Sequence, residues 1–212
     1  MLLRRLLQLY AGLVLYGASL ALMIRADLGL DPWDVFHQGV QQRVGSSFGT
    51  VVIVTGAVVL LLWVPLRQRP GLGTVSNVVV IGLAVDAALA VLPPPGWLPA
   101  RVAMLVAGIA LNAVACAAYV GAGFGPGPRD GLMTGLVRRT GGSVRAVRTG
   151  IEATVLVIGW LLGGTVGLGR LAYALTIGPL VHLLLPRFTV GACAAPPGRQ
   201  TARPSVRADA AP

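Results

Sequence analysis

Asp86, Glu152 and His182 are titratable residues set inside long apolar runs, and Asn112 places an amide in another. Asp34 and Asp130 stand near the start of two shorter, more polar stretches. A charged or titratable group at membrane depth costs roughly 2.5–3.5 kcal/mol even on the gentler insertion scale, so such groups mark a proton relay or a solute contact by default. These six residues are therefore the candidate solute or proton site. The three titratable intramembrane groups also have a plainer reading. Asp86 and His182 could make a structural hydrogen bond between helices, and Glu152 could pair with Arg148 four residues earlier on one helix face.

Other chemistries lack their residues. His37 and His182 alone make no metal site, and Cys116 and Cys193 show neither metal-ligand nor redox spacing. There is no nucleophile–base pair and no phosphate-cradling glycine loop of the P-loop type. The expectation is a protein that is not an enzyme and carries no cofactor.

The two short stretches have a local logic. Asp31, Pro32 and Asp34 recur as Gly127, Pro128 and Asp130. Proline suits the first position of a helix because its missing N–H is not needed there, and a carboxylate in the first turn meets the positive end of the helix dipole. Trp33, Phe36, Val40 and Val44 follow at helical spacing, as do Leu132, Leu136 and Val137. Each stretch is about three turns long, too short to cross a bilayer. Re-entrant or interfacial helices are predicted, and in repeat-built transporters such helices aim their N-termini at a central solute. Ser47 and Ser143, just beyond, read as N-caps of the spans that follow.

The elements that must position these groups are membrane spans. Hydrophobic residues make up 55% of the chain and charged ones 11%, with mean hydropathy +0.78. A soluble domain carries about 25% charged residues. Spans of about 20 apolar residues are predicted at 6–24, 47–66, 74–92, 101–122, 145–163 and 170–186. The first resembles a signal peptide but has full spanning length, so it is read as an uncleaved helix. From residue 190 the Ala, Pro, Gly, Arg and Ser composition predicts a disordered cytoplasmic tail. The net charge of +10 comes from 17 arginines and no lysine. A nucleic-acid reader needs a soluble basic face. These arginines fall between apolar runs, which excludes that class.

The chain also repeats itself. At a constant shift of 96 residues, Gly29/Gly125, Pro32/Pro128, Asp34/Asp130, Gly39/Gly135, Gly45/Gly141 and Ser47/Ser143 coincide. There are 20 identities in the 64 positions from 26 to 89, where chance gives roughly one match in ten. Asp86 and His182 are equivalent under this shift, each about 18 Å from the start of its helix at about 1.5 Å per residue, which predicts that both lie near mid-bilayer. Three spans per half is an odd number, so the second half should enter from the opposite face. With the N-terminus inside, 13 arginines, Arg129 among them, fall on the cytoplasmic side and Arg25, Arg43, Arg101 and Arg170 outside, as the positive-inside rule requires. The expected architecture is an all-α membrane protein of six transmembrane helices in two inverted three-helix repeats. Each repeat has a short re-entrant or interfacial helix after its first span. The boundaries are 1–96 and 97–189, with the tail at 190–212.

The run from Gly125 through Arg145, with Arg148 and Glu152 beyond, and its partner Leu28 to Asp34, resemble the YczE/YyaS/YitT group of bacterial integral membrane proteins. The likeness covers residues 6–188. Longer YitT-type relatives carry a soluble C-terminal domain, so this chain is similar to the short YczE-like branch. The resemblance implies a bacterial plasma-membrane address with both termini cytoplasmic and brings no established catalytic or substrate residues. The functional expectation is a small-solute transporter or permease, proton coupling included. The alternative is an accessory membrane protein that scaffolds or regulates a biosynthetic or export complex. The expected partners are the lipid bilayer and an unknown small solute, with a second copy of the chain or a membrane protein left open.

Overall fold

The computed structural model describes residues 2–189; the expected tail from 190, Cys193 included, lies outside the described residues. All regular structure among the described residues is helical: α1 (Leu2–Ala26), α2 (Pro32–Val44), α3 (Phe48–Trp63), α4 (Leu72–Val91), α5 (Leu98–Gly121), α6 (Pro128–Thr140), α7 (Val144–Leu161) and α8 (Gly169–Phe188). From α2 to α7, the starts of α2 and α6 and of α3 and α7 recur 96 residues apart.

Four of these helices, α1, α4, α5 and α8, are long and apolar enough to cross a membrane, and a fifth crossing arises if α2 and α3, which meet at 114°, are taken as one broken span. The shortfall from six has a physical cause. Helix α3 has 16 residues, about 24 Å of rise, against a hydrocarbon core of about 30 Å. Helix α7 has 18 residues but carries Arg145, Arg148 and Glu152 in its first half.

Local chemistry explains the breaks. Asp31 accepts the Asp34 N–H at 2.8 Å ahead of Pro32, and Gly45 ends α2 in the left-handed region at φ 70°. Ser47 then accepts the Thr50 N–H and starts α3. The second half repeats this with Pro128, Gly141 at φ 68° and Ser143 accepting the Ala146 N–H. Left-handed backbone costs glycine nothing, which is why both short helices stop where they do. One cap is missing: Gly127 stands where Asp31 would be, so α6 begins without a side-chain cap.

Helices α1 and α5 form the middle of the bundle, with α4 against α1, α8 against α5, α2 against α7 and α6 against α3. The α1–α5 contact is reciprocal. A Cβ on Gly12 would meet Ala115, Ala118 and Tyr119, and one on Gly108 would meet Ser19, Leu22 and Met23, the same positions minus 96. Residue 12 faces 115–119 while 108 faces 19–23, so the two helices run antiparallel. Small residues allow this close backbone approach, the usual packing device in lipid.

Arg5 and Arg101 close the ends of this pair. Arg5 Nε donates to Ala122 O at 2.9 Å and Nη2 to Gly123 O at 3.1 Å. Arg101 Nε donates to Ala26 O at 2.7 Å, and its Nη2 to Asp27 O and to Asp27 Oδ2, the latter at 2.9 Å. Each arginine thus satisfies orphan carbonyls at the C-terminus of the other central helix, where the dipole favours a cation. In the sequence alone both arginines mark only membrane sidedness. Backbone bonds repeat the exchange: Gly73 N–H donates to Phe124 O at 3.0 Å and Gly169 N–H to Leu28 O at 2.7 Å.

The main core joins Leu9, Leu13 and Leu20 to Ile81, Val85, Leu105 and Ile109. A second cluster gathers Trp33, Val59, Trp63 and Leu132. Outside, Leu61, Leu83, Val106 and Leu175 are exposed. An apolar periphery of this extent suits lipid and would be a liability in water.

Candidate functional site

The N-termini of α2 and α6 converge, and their first-turn side chains make the most charged place inside the bundle. Asp34 and His37 are each about fully buried, at 1% and 2% exposure. Their side chains meet at 3.3 Å through Asp34 Oδ1 and His37 Nδ1. Arg129, from the first turn of α6, reaches across. Its Nη1 lies 3.5 Å from Asp31 Oδ2, its Nη2 lies 3.5 Å from Asp34 Oδ1, and its Cζ sits 5.0 Å from the centre of the Trp33 ring. Trp33 and Arg129 are 96 residues apart in sequence, so equivalent positions of the two halves touch.

Polar groups from the long helices surround this centre. Asn112, wholly buried, donates from Nδ2 to Ser19 Oγ at 2.8 Å and accepts from the Tyr173 hydroxyl at 3.0 Å, tying α5 to α1 and α8. Ser19 in turn donates to Tyr16 O at 2.6 Å. Tyr16 stands edge-on to Tyr119 with centroids 6.2 Å apart. Tyr16 and Tyr173 lie within electrostatic reach of Asp31 and Asp34. Beneath the centre, the His37 ring packs edge-on against Phe48 at 5.8 Å. Carboxylates, an imidazole, a guanidinium and aromatic faces together can hold a polar solute or pass a proton. They show no grouping of three or more His, Cys, Asp or Glu fit for a metal ion among the described residues.

Residues 3–186 match a family of unknown function, DUF6198. The chain belongs to that family. An uncharacterized protein of Haemophilus influenzae is 37% identical over 173 residues, 82% of this chain and 79% of its own. The uncharacterized membrane protein YczE of Bacillus subtilis is 34% identical over 181 residues, 84% of each chain. The uncharacterized protein YyaS of the same organism is 25% identical over 182 residues, 82% of this chain and 89% of its own. No solved structure matches. Membership of the YczE/YyaS group stands as the sequence motifs implied, and the apolar helices agree with it: this is a membrane protein, helical throughout the regular structure of its described residues.

The six candidate residues are divided by the structure. Asp34 and Asn112 lie in or against the centre. Asp130 sits at its edge, exposed, with its Oδ2 and the Tyr119 hydroxyl 3.3 and 3.2 Å from where a Gly127 Cβ would stand. Glu152 accepts from Arg148 Nε at 2.8 Å, the i,i+4 pair of the plainer reading. Asp86 and His182 do not meet. Asp86 accepts from Ser47 Oγ at 2.5 Å and Gly49 N–H at 2.7 Å, so its carboxylate caps α3. It is five residues from the end of α4, about 8 Å, not near the middle of the span. His182 is exposed on α8, which packs on α5. A cavity of ≈ 440 Å³ touches Asp86 with Arg25, Gln41 and Ser47, and His182 is not part of its lining.

Arg129 is also corrected. Assigned from sequence to the cytoplasmic side, it sits at the centre against residues of α2 assigned to the outer side. The residues missed as site members were Trp33, His37, Arg129 and the three tyrosines. One signal was available: an arginine directly inside the Pro128–Asp130 cap stands where the other half has Trp33, a cation–aromatic pairing across equivalent positions.

Proposed function

We propose that this chain is a small-solute permease of the bacterial plasma membrane, in which two inverted halves rock around the Trp33–Arg129 centre. The observation that carries this reading is the convergence of the two short-helix N-termini on a buried polar centre within an apolar bundle. Discontinuous helices whose positive ends face a midplane site are the recurrent design of repeat-built transporters. The antiparallel α1–α5 contact with its reciprocal partners supports an inverted relation between residues 1–96 and 97–189. Counting α3 and α7 as tilted or broken spans completes six crossings, with both termini and the Arg138–Arg139 turn cytoplasmic. Removing Arg129 from the arginine tally leaves 12 inside and four outside, and the positive-inside bias persists.

Proton coupling in this cycle falls to Asp34 and His37 rather than to Asp86 and His182. The pair is buried and its side chains meet at 3.3 Å, close enough for a proton to pass between them. We assign the chain no catalytic step.

The accessory reading is favoured by one observation: Asn112 has both ends of its amide occupied by Ser19 and Tyr173, as in a sealed structural core. The two readings separate by access. With Cys116 and Cys193 replaced, a cysteine at position 33 is challenged with a membrane-impermeant maleimide from each face in turn. A permease exposes it to both sides, at rates that shift when a solute locks one state. Labelling from neither side establishes the accessory role.

A further inference from the structure

We infer that the centre takes an organic cation, a solute with a guanidinium or ammonium head, and that Arg129 occupies that head's seat when the solute is away. This rests on the permease reading for its transport consequence but not for binding itself.

The seat is built for a planar cation. Trp33 offers a ring face with Arg129 Cζ 5.0 Å from its centre, within the usual 6 Å reach of a cation–π contact. Asp31 and Asp34 flank the same place. The occupant is tethered and fits loosely: both guanidinium–carboxylate distances are 3.5 Å, whereas a charge-assisted bond usually closes to about 2.7–2.9 Å. The Arg129 side chain stays 31% exposed while Asp31 and Asp34 are 15% and 2% exposed.

Asp34 is the sharper sign. An ionised carboxylate offers about four acceptor sites, yet this one, almost fully buried, is met among the described residues at long range, by His37 at 3.3 Å and by Arg129 at 3.5 Å. A buried carboxylate left so lightly bonded is costly unless something better fills the place. A free guanidinium or ammonium is not held back by a backbone and can close these distances.

The charge balance selects the same class. Asp31 and Asp34 face one guanidinium, with Asp130 exposed at the edge. Two helix N-termini contribute about half a positive charge each, so with no cation between the carboxylates the centre keeps about one negative charge. An anionic solute would meet that charge in a low-dielectric place. A cation replaces Arg129 without altering the balance there.

The test uses the purified full chain in detergent, with phenylguanidine and benzylamine as cationic probes and benzoate as the anionic control, followed by calorimetry. The wild type should bind phenylguanidine, and Arg129→Gln should bind it about tenfold tighter because the internal competitor is gone. Arg129→Lys keeps the charge but not the planar stack, and should gain less. In the Arg129→Gln background, Asp34→Asn and Trp33→Leu should each weaken binding by about tenfold. Unfolding midpoints verify that each variant is folded, and Arg129→Lys decides the matter if Arg129→Gln is not. Preference for benzoate, or loss of phenylguanidine binding in a folded Arg129→Gln or Arg129→Lys protein, overturns the inference. Cation binding with position 33 closed to both faces would sink the permease reading alone. Two-sided access without cation binding would sink this inference alone.

Discussion

The contact of α2 with α7 and the contact of α6 with α3 are equivalent under the 96-residue repeat, yet they are filled in opposite ways. In the first, Gly159 of α7 lets its backbone lie against Val35 and Phe36; a Cβ there would come within 2.5 Å of Phe36 Cα. In the second, the position of Gly159 is held by Trp63, and the position of Val35 by Gly131, against which the indole is pressed. Volume has moved from one helix of the pair to the other. Gly39 and Gly135 are unchanged and meet Leu162 and Leu66, again equivalent residues. The first contact is backbone on backbone and the second is a plug. The plug has a consequence for the centre, because Trp63 Nε1 donates to Pro128 O at 3.0 Å and so anchors the residue just before Arg129. Two halves of similar sequence can therefore diverge in mechanics while keeping one frame, since a close-packed interior registers where volume is added and removed.

The largest effect should come from emptying the plug. Trp63→Gly should cost about 3–5 kcal/mol, read as a drop in the denaturant midpoint of the purified protein. Adding Gly131→Val copies the arrangement of the first contact and should restore part of that loss. Strict additivity of the two changes would mean that the volume exchange is incidental. Next, Gly159→Ala should destabilise by about 1–3 kcal/mol, because the added methyl meets backbone that cannot turn aside. A neutral result by thermal unfolding would remove the backbone-contact account of α2 and α7.

The central arginines give a smaller and graded comparison. Arg5→Gln and Arg101→Gln should each lower stability by about 1 kcal/mol through loss of a helix C-terminal cation. Arg101→Gln should cost more, since Arg101 also holds the Asp27 carboxylate. The reverse order in paired melts would contradict the assignment. Asp34→Ala should disturb the protein more than Asp130→Ala, for which about 0.3–1 kcal/mol is expected at an exposed helix start. Smallest of all, His182→Ala should stay within about 0.5 kcal/mol, as exposed positions generally do. Asp86→Asn should weaken the start of α3 independently of it, so the double variant should be additive. Coupling between Asp86 and His182 in that cycle would restore the pair that the structure separates.

Much of the frame was legible because it depends on neighbours in sequence. The α2 and α6 starts follow from Pro32 and Pro128, their ends from Gly45 and Gly141, and the next helices from Ser47 and Ser143, each a local backbone requirement. The reciprocal arginines were legible in principle: extending the 96-residue shift upstream pairs Arg5 with Arg101, Leu9 with Leu105 and Gly12 with Gly108. The position of Asp86 was not legible. A count along α4 gives a distance from the helix end, but the carboxylate is bonded to α3 by a packing choice that no such count can reveal.

Composition, period and local caps were enough to determine that this chain is helical, that it lives in a membrane and where its helices break, because apolar length and backbone geometry act over a few residues. Tertiary structure alone decided which polar groups share a site. Helix rotation sets whether a side chain faces lipid, a neighbour or the centre, and it is governed by long-range fits such as Gly12 against Ala115 and Trp63 against Gly131. Those fits brought Arg129 to Trp33 and Asp34, and kept Asp86 from His182.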